Sequence, residues 1–289
     1  MSDNLNDVRT MPLLALRGLS VFPGMLLTFD VERSASAAAL DAAVRTDQMI
    51  FLAAQKDPIA DAPDESEIYH TGTVCRIRQQ LRQPRGGFTR VMVEGVRRAQ
   101  AESVDMDGKY YTAQVRMLDD RKDRVSEARR EALLRSCFTL FEEYIHANPD
   151  MVNEQILNLL ANPSPSYVSD YIAHNVRLGV EDKQELLEEL SPCRRLAMLA
   201  KLLTNELNII SIEKEISDAA QEAMNQNQRE YYLREELKAI QAELGDDGKT
   251  DDIGDYRAKI NALPVPEEVR TKLLKELGRL SKQPFGSSE

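Results

Sequence analysis

A long heptad repeat near the C-terminal end is the feature that most constrains how this chain can fold. Between residues 209 and 244, two heptad positions are almost always apolar, and polar residues fill most of the others. A stripe this narrow is typical of a helix that packs against another helix, because a core helix needs a broader apolar face. We therefore predict a long, projecting, coiled-coil-like helix over residues 208–245. The first position carries Ile209, Ile216, Ala223, Leu237 and Leu244 with Glu230 as its polar member, and the second carries Ile212, Ala219, Leu233 and Ile240 with Gln226.

The helix that precedes this repeat follows a different register. It begins at Ser191-Pro192, a favourable pair for the N-cap and first turn of a helix. The stripe that follows consists of Leu196, Leu199, Leu203 and Leu207. This stripe does not align with the heptads downstream, and the mismatch falls at residues 205–208. The mismatch predicts a bend or a break of the helix there.

The first 120 residues change period repeatedly, which is typical of short strands with one or two helices. Two alternating stretches, 71–81 and 88–96, flank the connection 84–87, whose glycines can adopt the positive φ of a tight turn. These stretches predict a β-hairpin. Further strands are predicted at 50–54 and 112–118, and a helix at 34–44. Together they indicate a small, mostly antiparallel, β-rich domain over residues 1–120.

Helical periodicity begins after a charged linker at residues 119–124. Apolar residues three and four apart line one side of each segment, as in helices that share a core. We predict a helical bundle over 125–207 and, at 246–289, an acidic loop followed by a helical hairpin return. The fold class is therefore predicted to be α+β. The stripe expected to pack back along residues 233–244 is Val269, Leu273, Leu277 and Leu280.

The charge balance and the cysteine content limit the function classes. The 289 residues carry 37 Lys and Arg against 48 Asp and Glu, and this net charge of -11 disfavours binding to a phosphate backbone. Cys75, Cys137 and Cys193 lack metal-ligand spacing, so we expect reduced, buried thiols. No apolar run is long enough to span a bilayer. We expect a cytoplasmic chain that contacts neither membrane nor nucleic acid.

The sequence holds only fragments of catalytic or metal-binding motifs. Gly248-Lys249-Thr250 is similar to the tail of a phosphate-binding loop, but Glu243 stands where the full pattern needs glycine. Two Glu-x-x-His pairs, at 67–70 and 143–146, lack the further carboxylates of a helical di-metal site. We therefore expect no catalytic, cofactor-binding or metal-binding residue in this chain.

Two groups of apolar residues are candidates for contacts with other proteins. The first lies at turns, where exposure would form a peptide-binding patch and burial would place the side chains in the core. Its members are Phe22, Pro23, Met25, Leu81, Pro84 and Phe88. The second lies on the long helix and would pack against the helical return, another subunit or a client protein. Its members are Ile216, Ala223, Met224, Tyr231, Tyr232, Leu233, Leu237, Ile240 and Leu244.

Several long motifs resemble bacterial Lon proteases. The sequence NQREYYLREELKAIQAELG at 227–245 is similar to the signature helix of that family. The segments PLLALR at 12–17 and VFPGM at 21–25 are similar to the family's opening strand and turn, and VEGVRRA at 93–99 also matches. The motifs occur in order, so the resemblance covers essentially the whole chain.

The resemblance implies a PUA-like N-terminal subdomain, a helical bundle and a long helix that leads to a hexameric motor. In Lon, such a region precedes an ATPase module, which uses ATP and Mg²⁺, and a protease domain with a serine–lysine dyad. Neither module follows Glu289, so the chain is expected to be truncated before the ATPase, naturally or by engineering. The implied role is non-catalytic: recognition of unfolded, damaged or degron-bearing proteins, and support of a homohexamer.

Two other functions fit parts of the pattern. A free-standing adaptor or scaffold would use the β domain to bind a ligand and the coiled coil to dimerise. An RNA-binding protein would agree with a PUA-like fold, but the acidic charge and the scarcity of aromatic residues disfavour it. An in-frame ATPase domain beyond the codon for Glu289 would distinguish a Lon protein from an adaptor.

Overall fold

The computed structural model describes residues 8–82, 87–148, 151, 159, 162–243 and 249–280. The chain divides into two compact units, Met1–Ile212 and Glu213–Glu289. The predicted fold class, α+β, is confirmed: a β-sheet comes first and helices follow. The predicted divisions near residues 120 and 245 stay predictions.

The first unit contains a mixed, mostly antiparallel sheet. Its strands are β1 (Val8–Leu16), β2 (Leu26–Val31), β3 (Met49–Ala54), β4 (Thr71–Arg82), β5 (Thr89–Asp107) and β6 (Tyr110–Met117). The order is β2-β5-β4-β3-β1-β6, and only the β1–β3 pair is parallel among these strands. The long strand β5 pairs with β4 and, from Ala99 onward, with β6 as well. The sheet therefore closes on itself. The predicted hairpin is the pair β4–β5.

Both faces of the central strands are buried. Side chains alternate between the two faces of a strand, so a strand covered on both sides has a continuous apolar sequence, as in MIFLAA of β3. One face packs with the helix α1 (Ser34–Arg45), which lies where the sequence predicts a helix. The members of that cluster include Leu14, Leu16, Leu40, Ile50 and Leu52. The opposite face forms a second cluster with Leu13, Ala15, Phe51, Ala53 and Val74.

A helical bundle shares the first unit with the sheet. It consists of α2 (Glu127–Ala147), α3 (Pro165–Asn175), α4 (Val180–Glu188) and the beginning of α5 (Pro192–Glu243). Serine side chains accept hydrogen bonds at three helix starts, from Arg129 N, Tyr167 N and Arg194 N, each at 3.3 Å. The predicted N-cap at Ser191 is among them. The bundle core includes Leu134, Phe141, Tyr144, Ile172, Leu196, Leu199 and Leu203.

The break that the sequence offered at residues 205–208 is wrong, because α5 runs without interruption through Asn205 and Asn208. A bend there stays a prediction. The change of register has a different cause. Residues up to Leu203 pack in the bundle core, whereas every residue from 211 to 240 is exposed. The first stripe therefore packs in a core, whereas the second faces solvent in the part of the chain that the structure describes.

The second unit differs from the prediction at two points. Helix α6 (Lys249–Ala262) begins within the segment predicted as an acidic loop, and α7 (Glu267–Leu280) follows it. The stripe of α7 packs towards α6 rather than along residues 233–240: Leu277 is buried, and it lies beside Tyr256 and Ile260 of α6. Leu233 and Leu237 stay more than half exposed, at 56% each.

An ion cluster, with Arg98, Asp170 and Arg195 buried and Asp120 at its solvent edge, joins the sheet to the bundle. Arg98 of β5 donates two hydrogen bonds to the carboxylate of Asp170 on α3, at 2.7 and 2.5 Å, and its Nε donates to Leu187 O at 3.0 Å. Arg195 of α5 is fully buried, and its guanidinium donates to Asp120 at 2.8 Å and lies 3.5 Å from Asp170. We call Arg98, Asp120, Asp170 and Arg195 the ion cluster.

The remaining donors of Arg195 are also satisfied. Its guanidinium donates to Ser169 Oγ at 3.1 Å, to Ser166 Oγ at 2.9 Å and to Glu189 O at 3.0 Å. Burial would raise the pKa of Asp120, but the hydrogen bonds from Arg195 and Ser166 outweigh it and hold that pKa below its usual range. A buried charge is tolerated only when it is paired and hydrogen-bonded, and this cluster meets both conditions.

All three cysteines are buried free thiols, as the sequence predicts. Burial raises the pKa of the Cys137 thiol to about 12, so the thiol stays neutral near pH 7. Among the described residues, no helix combines the length and the apolar character needed to cross a membrane.

Replacing Asp170 with alanine tests the ion cluster. The variant leaves Arg98 without its partner in a buried position, so we expect a loss of about 3–5 kcal/mol in the free energy of unfolding. Urea titration followed by circular dichroism measures it. The control is Glu131→Ala, which breaks the exposed pair with Arg135 and should cost no more than about 1 kcal/mol. A loss of the same size in both variants would contradict the role of the cluster.

Candidate functional site

The turn that precedes β2 is buried, contrary to a surface role. Phe22 is 0% exposed and Met25 is 4% exposed, and both belong to the core that the bundle helices form. Their assignment as exposed contact residues is therefore wrong, and core burial, the alternative, is what the structure has. Pro23 lies between them and is partly exposed. The turn attaches the sheet to the helices, because Phe22 precedes strand β2 and its side chain packs in the core of the helical bundle.

Gly95 of β5 allows this turn to approach the sheet. Gly24 N donates to Gly95 O at 2.8 Å, and Gly95 N donates to Met25 O at 2.9 Å. A Cβ atom at Gly95 would lie 2.2 Å from Phe22 O, a distance that real Cβ atoms do not reach. Gly24 also has a positive φ of 75°, which a glycine adopts without strain. Gly24 and Gly95 therefore allow the backbone of the turn to contact the backbone of β5.

An exposed surface lies next to this turn, on β2, β4 and β5. Leu81, Arg90 and Asp30 stand in register across the three strands, and Met92 pairs with Thr28 in the next row. Side chains directly opposite each other on neighbouring strands lie within contact distance. Leu26 and Glu94 form the row beyond. We call this surface the hairpin face, with the members Leu26, Thr28, Asp30, Leu81, Arg90, Met92 and Glu94.

The hairpin face combines apolar side chains with fixed ion pairs. Leu26 is 57% exposed and Leu81 is 52% exposed. Arg90 donates two hydrogen bonds of 2.7 Å to Asp30, and these bonds hold the pKa of Asp30 below its usual range. The Arg90 guanidinium also lies 5.9 Å from the centre of the Phe88 ring. The result is a mixed surface, in which Leu26, Leu81 and the partly exposed Met92 lie among charges that are already paired.

The predicted site residues therefore fall into separate groups. Leu81 and Phe88 lie together at the hairpin, as the sequence predicts, with Phe88 partly exposed. Pro84 and Leu244 lie outside the described residues. Sequence analysis missed Leu26 and Met92. These residues lie on the same face as Leu81 only because of the way in which β2, β5 and β4 pair. An outward-pointing leucine on a strand next to a turn is the signal that could have indicated Leu26.

The described members of the second predicted group are exposed along α5. Ile216 is 64% exposed and Ile240 is 50% exposed, and Tyr231 and Tyr232 are exposed beside them with ring centres 6.3 Å apart. Ala223, Met224, Leu233 and Leu237 are exposed as well. We call the heptad residues of α5 from Ile209 to Ile240 the seam. In the described part of the chain, no other element packs on the seam.

The two Glu-x-x-His pairs have other contacts. Glu67 accepts a hydrogen bond from Asp64 N at 2.9 Å, and His70 Nδ1 lies 3.2 Å from Ala101 O. Glu143 and His146 are exposed on α2. The described residues contain no group of three or more His, Cys, Asp or Glu side chains that could hold a metal ion.

Comparison with known proteins identifies the family. The sequence model of the ATP-dependent protease La (LON) substrate-binding domain matches residues 10–205. The chain belongs to this family. A Lon protease from Brevibacillus choshinensis is 39% identical over 97% of this chain, and Lon protease 1 from Bacillus subtilis is 38% identical over 97% of it. The chain spans about a third of the length of these curated relatives, 36% of each.

The fold also matches a solved structure of the same family. The N-terminal domain of the Mycobacterium avium complex Lon protease superposes with a TM-score of 0.56 at 22% identity. The match covers 68% of this chain and 98% of that domain. This likeness concerns the fold alone. The Lon resemblance predicted from the motifs is confirmed by the family match.

Replacing Gly95 with alanine tests the attachment of the turn. The added Cβ would collide with the backbone of Phe22, so we expect the free energy of unfolding to fall by about 2–4 kcal/mol. Chemical denaturation measures the change. Gly179→Ala is the matched control: its nearest neighbour would be an Asp182 oxygen at 3.4 Å, and its cost should stay below about 1 kcal/mol. Equal stability of wild type and Gly95→Ala would contradict the close approach.

Proposed function

We propose that this chain is a non-catalytic substrate-recognition and assembly region of a Lon protease, which binds unfolded, damaged or degron-bearing proteins. The observation that carries the proposal is the hairpin face, where exposed apolar side chains lie among paired charges on a domain whose family is a substrate-binding one. Unfolded proteins expose apolar side chains, and an apolar surface binds them without requiring one sequence. Leu26, Leu81 and Met92 supply that surface.

The paired charges of the hairpin face suit this function. An unpaired charge would oppose the burial of apolar side chains, because its desolvation costs free energy. Asp30 and Arg90 neutralise each other, and Glu94 accepts a hydrogen bond from Arg78 at 2.6 Å. A client segment can therefore cover the face at low electrostatic cost. Its binding and release involve no covalent change.

The proposed assembly is a homohexamer, in which the seam of α5 contacts a neighbouring helix. Its apolar members are exposed, and Gln226 and Glu230 interrupt the apolar stripe. Polar residues at such positions specify register and partner at some cost in stability. Six copies of a weak client site near one another raise the effective concentration of a captured segment.

The proposal assigns the chemistry to other parts of a full-length protein. ATP and Mg²⁺ would bind in an ATPase module and the peptide bond would be cut in a protease domain, and both would be supplied outside residues 1–289. The working compartment of the proposed protein is the cytoplasm, and its partners are proteins rather than nucleic acids or membranes.

Replacing Leu81 with aspartate tests the client site. The variant removes apolar area and adds an unpaired charge, so affinity for an unfolded client should fall about tenfold. The client is a fluorescently labelled protein that has been reduced and carboxymethylated, and anisotropy gives the dissociation constant. Ile59→Asp is the control, because Ile59 is 85% exposed and lies outside the hairpin face. Equal affinity of both variants and the wild type would reject the assignment.

Replacing Leu237 and Ile240 with asparagine tests the seam. The double variant removes two exposed apolar members, so self-association of the chain should weaken. Sedimentation velocity over a range of concentrations measures the distribution of species. The control is Lys214→Gln with Glu235→Gln, which changes two exposed residues on the side of α5 opposite the seam. A distribution that is the same for the wild type and the seam variant would refute the role in assembly.

A further inference from the structure

A cationic groove lies between the start of α2 and the start of α5. Its volume is about 690 Å³, and residues from 121–133 and 189–197 line it. Five of the lining side chains are cationic and two are anionic. The cationic ones are Arg121, Lys122, Arg124, Arg129 and Arg194. This local excess of positive charge stands out in a chain whose net charge is -11.

The two carboxylates of the groove already have partners. Asp123 accepts hydrogen bonds from Ser191 Oγ and, at 3.1 Å, from Cys193 N at the first turn of α5. Glu189 accepts from Ser191 N at 2.8 Å, and its other oxygen lies 3.8 Å from Arg194. Both carboxylates therefore serve the start of α5. Their two negative charges remain, but they offset only part of the five positive charges that line the groove.

Most of the cations lack a carboxylate partner among the residues that the structure describes. Arg121, Lys122, Arg124 and Arg129 are exposed, and within the described ranges no side chain forms an ion pair with them. Elsewhere in this acidic protein, arginines are commonly paired, as Arg130 is with Glu127. Four neighbouring cations outside any described ion pair repel one another, and an anionic ligand would relieve that repulsion. Two helices also begin here, and their dipoles add positive potential.

We propose that this groove binds an acidic segment of a client polypeptide. The inference rests on the proposed function, because it gives the chemistry of a second contact with the same clients. Arginine forks match carboxylates in bidentate geometry. Val125, Leu133 and Ala197 also line the groove and offer contact to the apolar parts of a peptide.

A peptide fits the groove better than a nucleic acid does. No aromatic side chain is among the residues that line it, so bases would find no stacking platform. A long phosphate chain would also extend beyond the groove towards a surface of net negative charge. A short acidic segment stays within about one Debye length, roughly 8 Å, of the cations.

Binding of a glutamate-rich peptide to the full 289-residue chain tests the proposal. The probe is a short fluorescein-labelled peptide of glutamate and leucine, and its partner has glutamine in place of each glutamate. Wild type should prefer the glutamate peptide, and added NaCl should weaken binding. Arg124→Glu with Arg129→Glu should reduce affinity on the order of tenfold or more. Equal binding of the two peptides would overturn the proposal.

Two further variants control for charge and for folding. Lys214→Glu with Arg229→Glu makes the same change of net charge on exposed positions of α5 and should change affinity less than about twofold. Arg124→Gln with Arg129→Gln removes the charges without reversing them and should show an intermediate loss. If the α5 variant loses as much affinity as the groove variants, the net charge explains the binding and the groove does not.

Binding of tripolyphosphate distinguishes a phosphate site from a peptide site. Binding of the unfolded client distinguishes failure of the groove proposal from failure of the proposed function. If tripolyphosphate binds through Arg124 and Arg129 and the glutamate peptide does not, the groove is a phosphate site and the proposal is wrong. If the unfolded client binds but the glutamate peptide does not, only the groove proposal fails. If the glutamate peptide binds and the unfolded client does not, the proposed function fails, and the groove then has no link to clients.

Discussion

The ion cluster is the constraint on which the rest of the first unit depends. Arg98 comes from the sheet, Asp170 from α3, Arg195 from α5 and Asp120 from the segment after β6. Hydrogen bonds to buried charges demand fixed geometry, unlike apolar contacts, which tolerate sliding. The cluster therefore sets the orientation of the sheet relative to the bundle. The Phe22 turn adds apolar contact across the same junction.

This junction determines which surfaces stay exposed. Burial of the turn brings β2 and its neighbours to a fixed position, and the outer sides of Leu26 and Leu81 remain in solvent. The start of α5 is anchored by Asp123 and Arg195, and this anchoring also forms one wall of the cationic groove. The same contacts that stabilise the unit thus also position the two proposed client surfaces, the hairpin face and the cationic groove. Rigid surfaces of this kind lose little entropy when a client binds.

The sequence predicted the local elements well and the long-range contacts poorly. The hairpin, the helix predicted at 34–44 and the cap at Ser191 follow from nearby residues, because turn and cap chemistry acts within a few positions. Arg98, Asp120, Asp170 and Arg195 resemble surface charges until the fold brings them together. The burial of Phe22 likewise depends on helices more than a hundred residues later. The predicted break in α5 is wrong because the apolar stripe changes register where the helix leaves the bundle core and becomes exposed, and the helix itself continues.

The closure of the sheet has a consequence for how the chain is made. Val8 of β1 pairs with Arg116 of β6, so the first strand completes its ladder only after roughly a hundred more residues have been synthesised. At about 5–20 residues per second, the ribosome needs roughly 5–20 s to supply them. During that interval one edge of an apolar strand remains open to aggregation, the same hazard that unfolded proteins present to a cell.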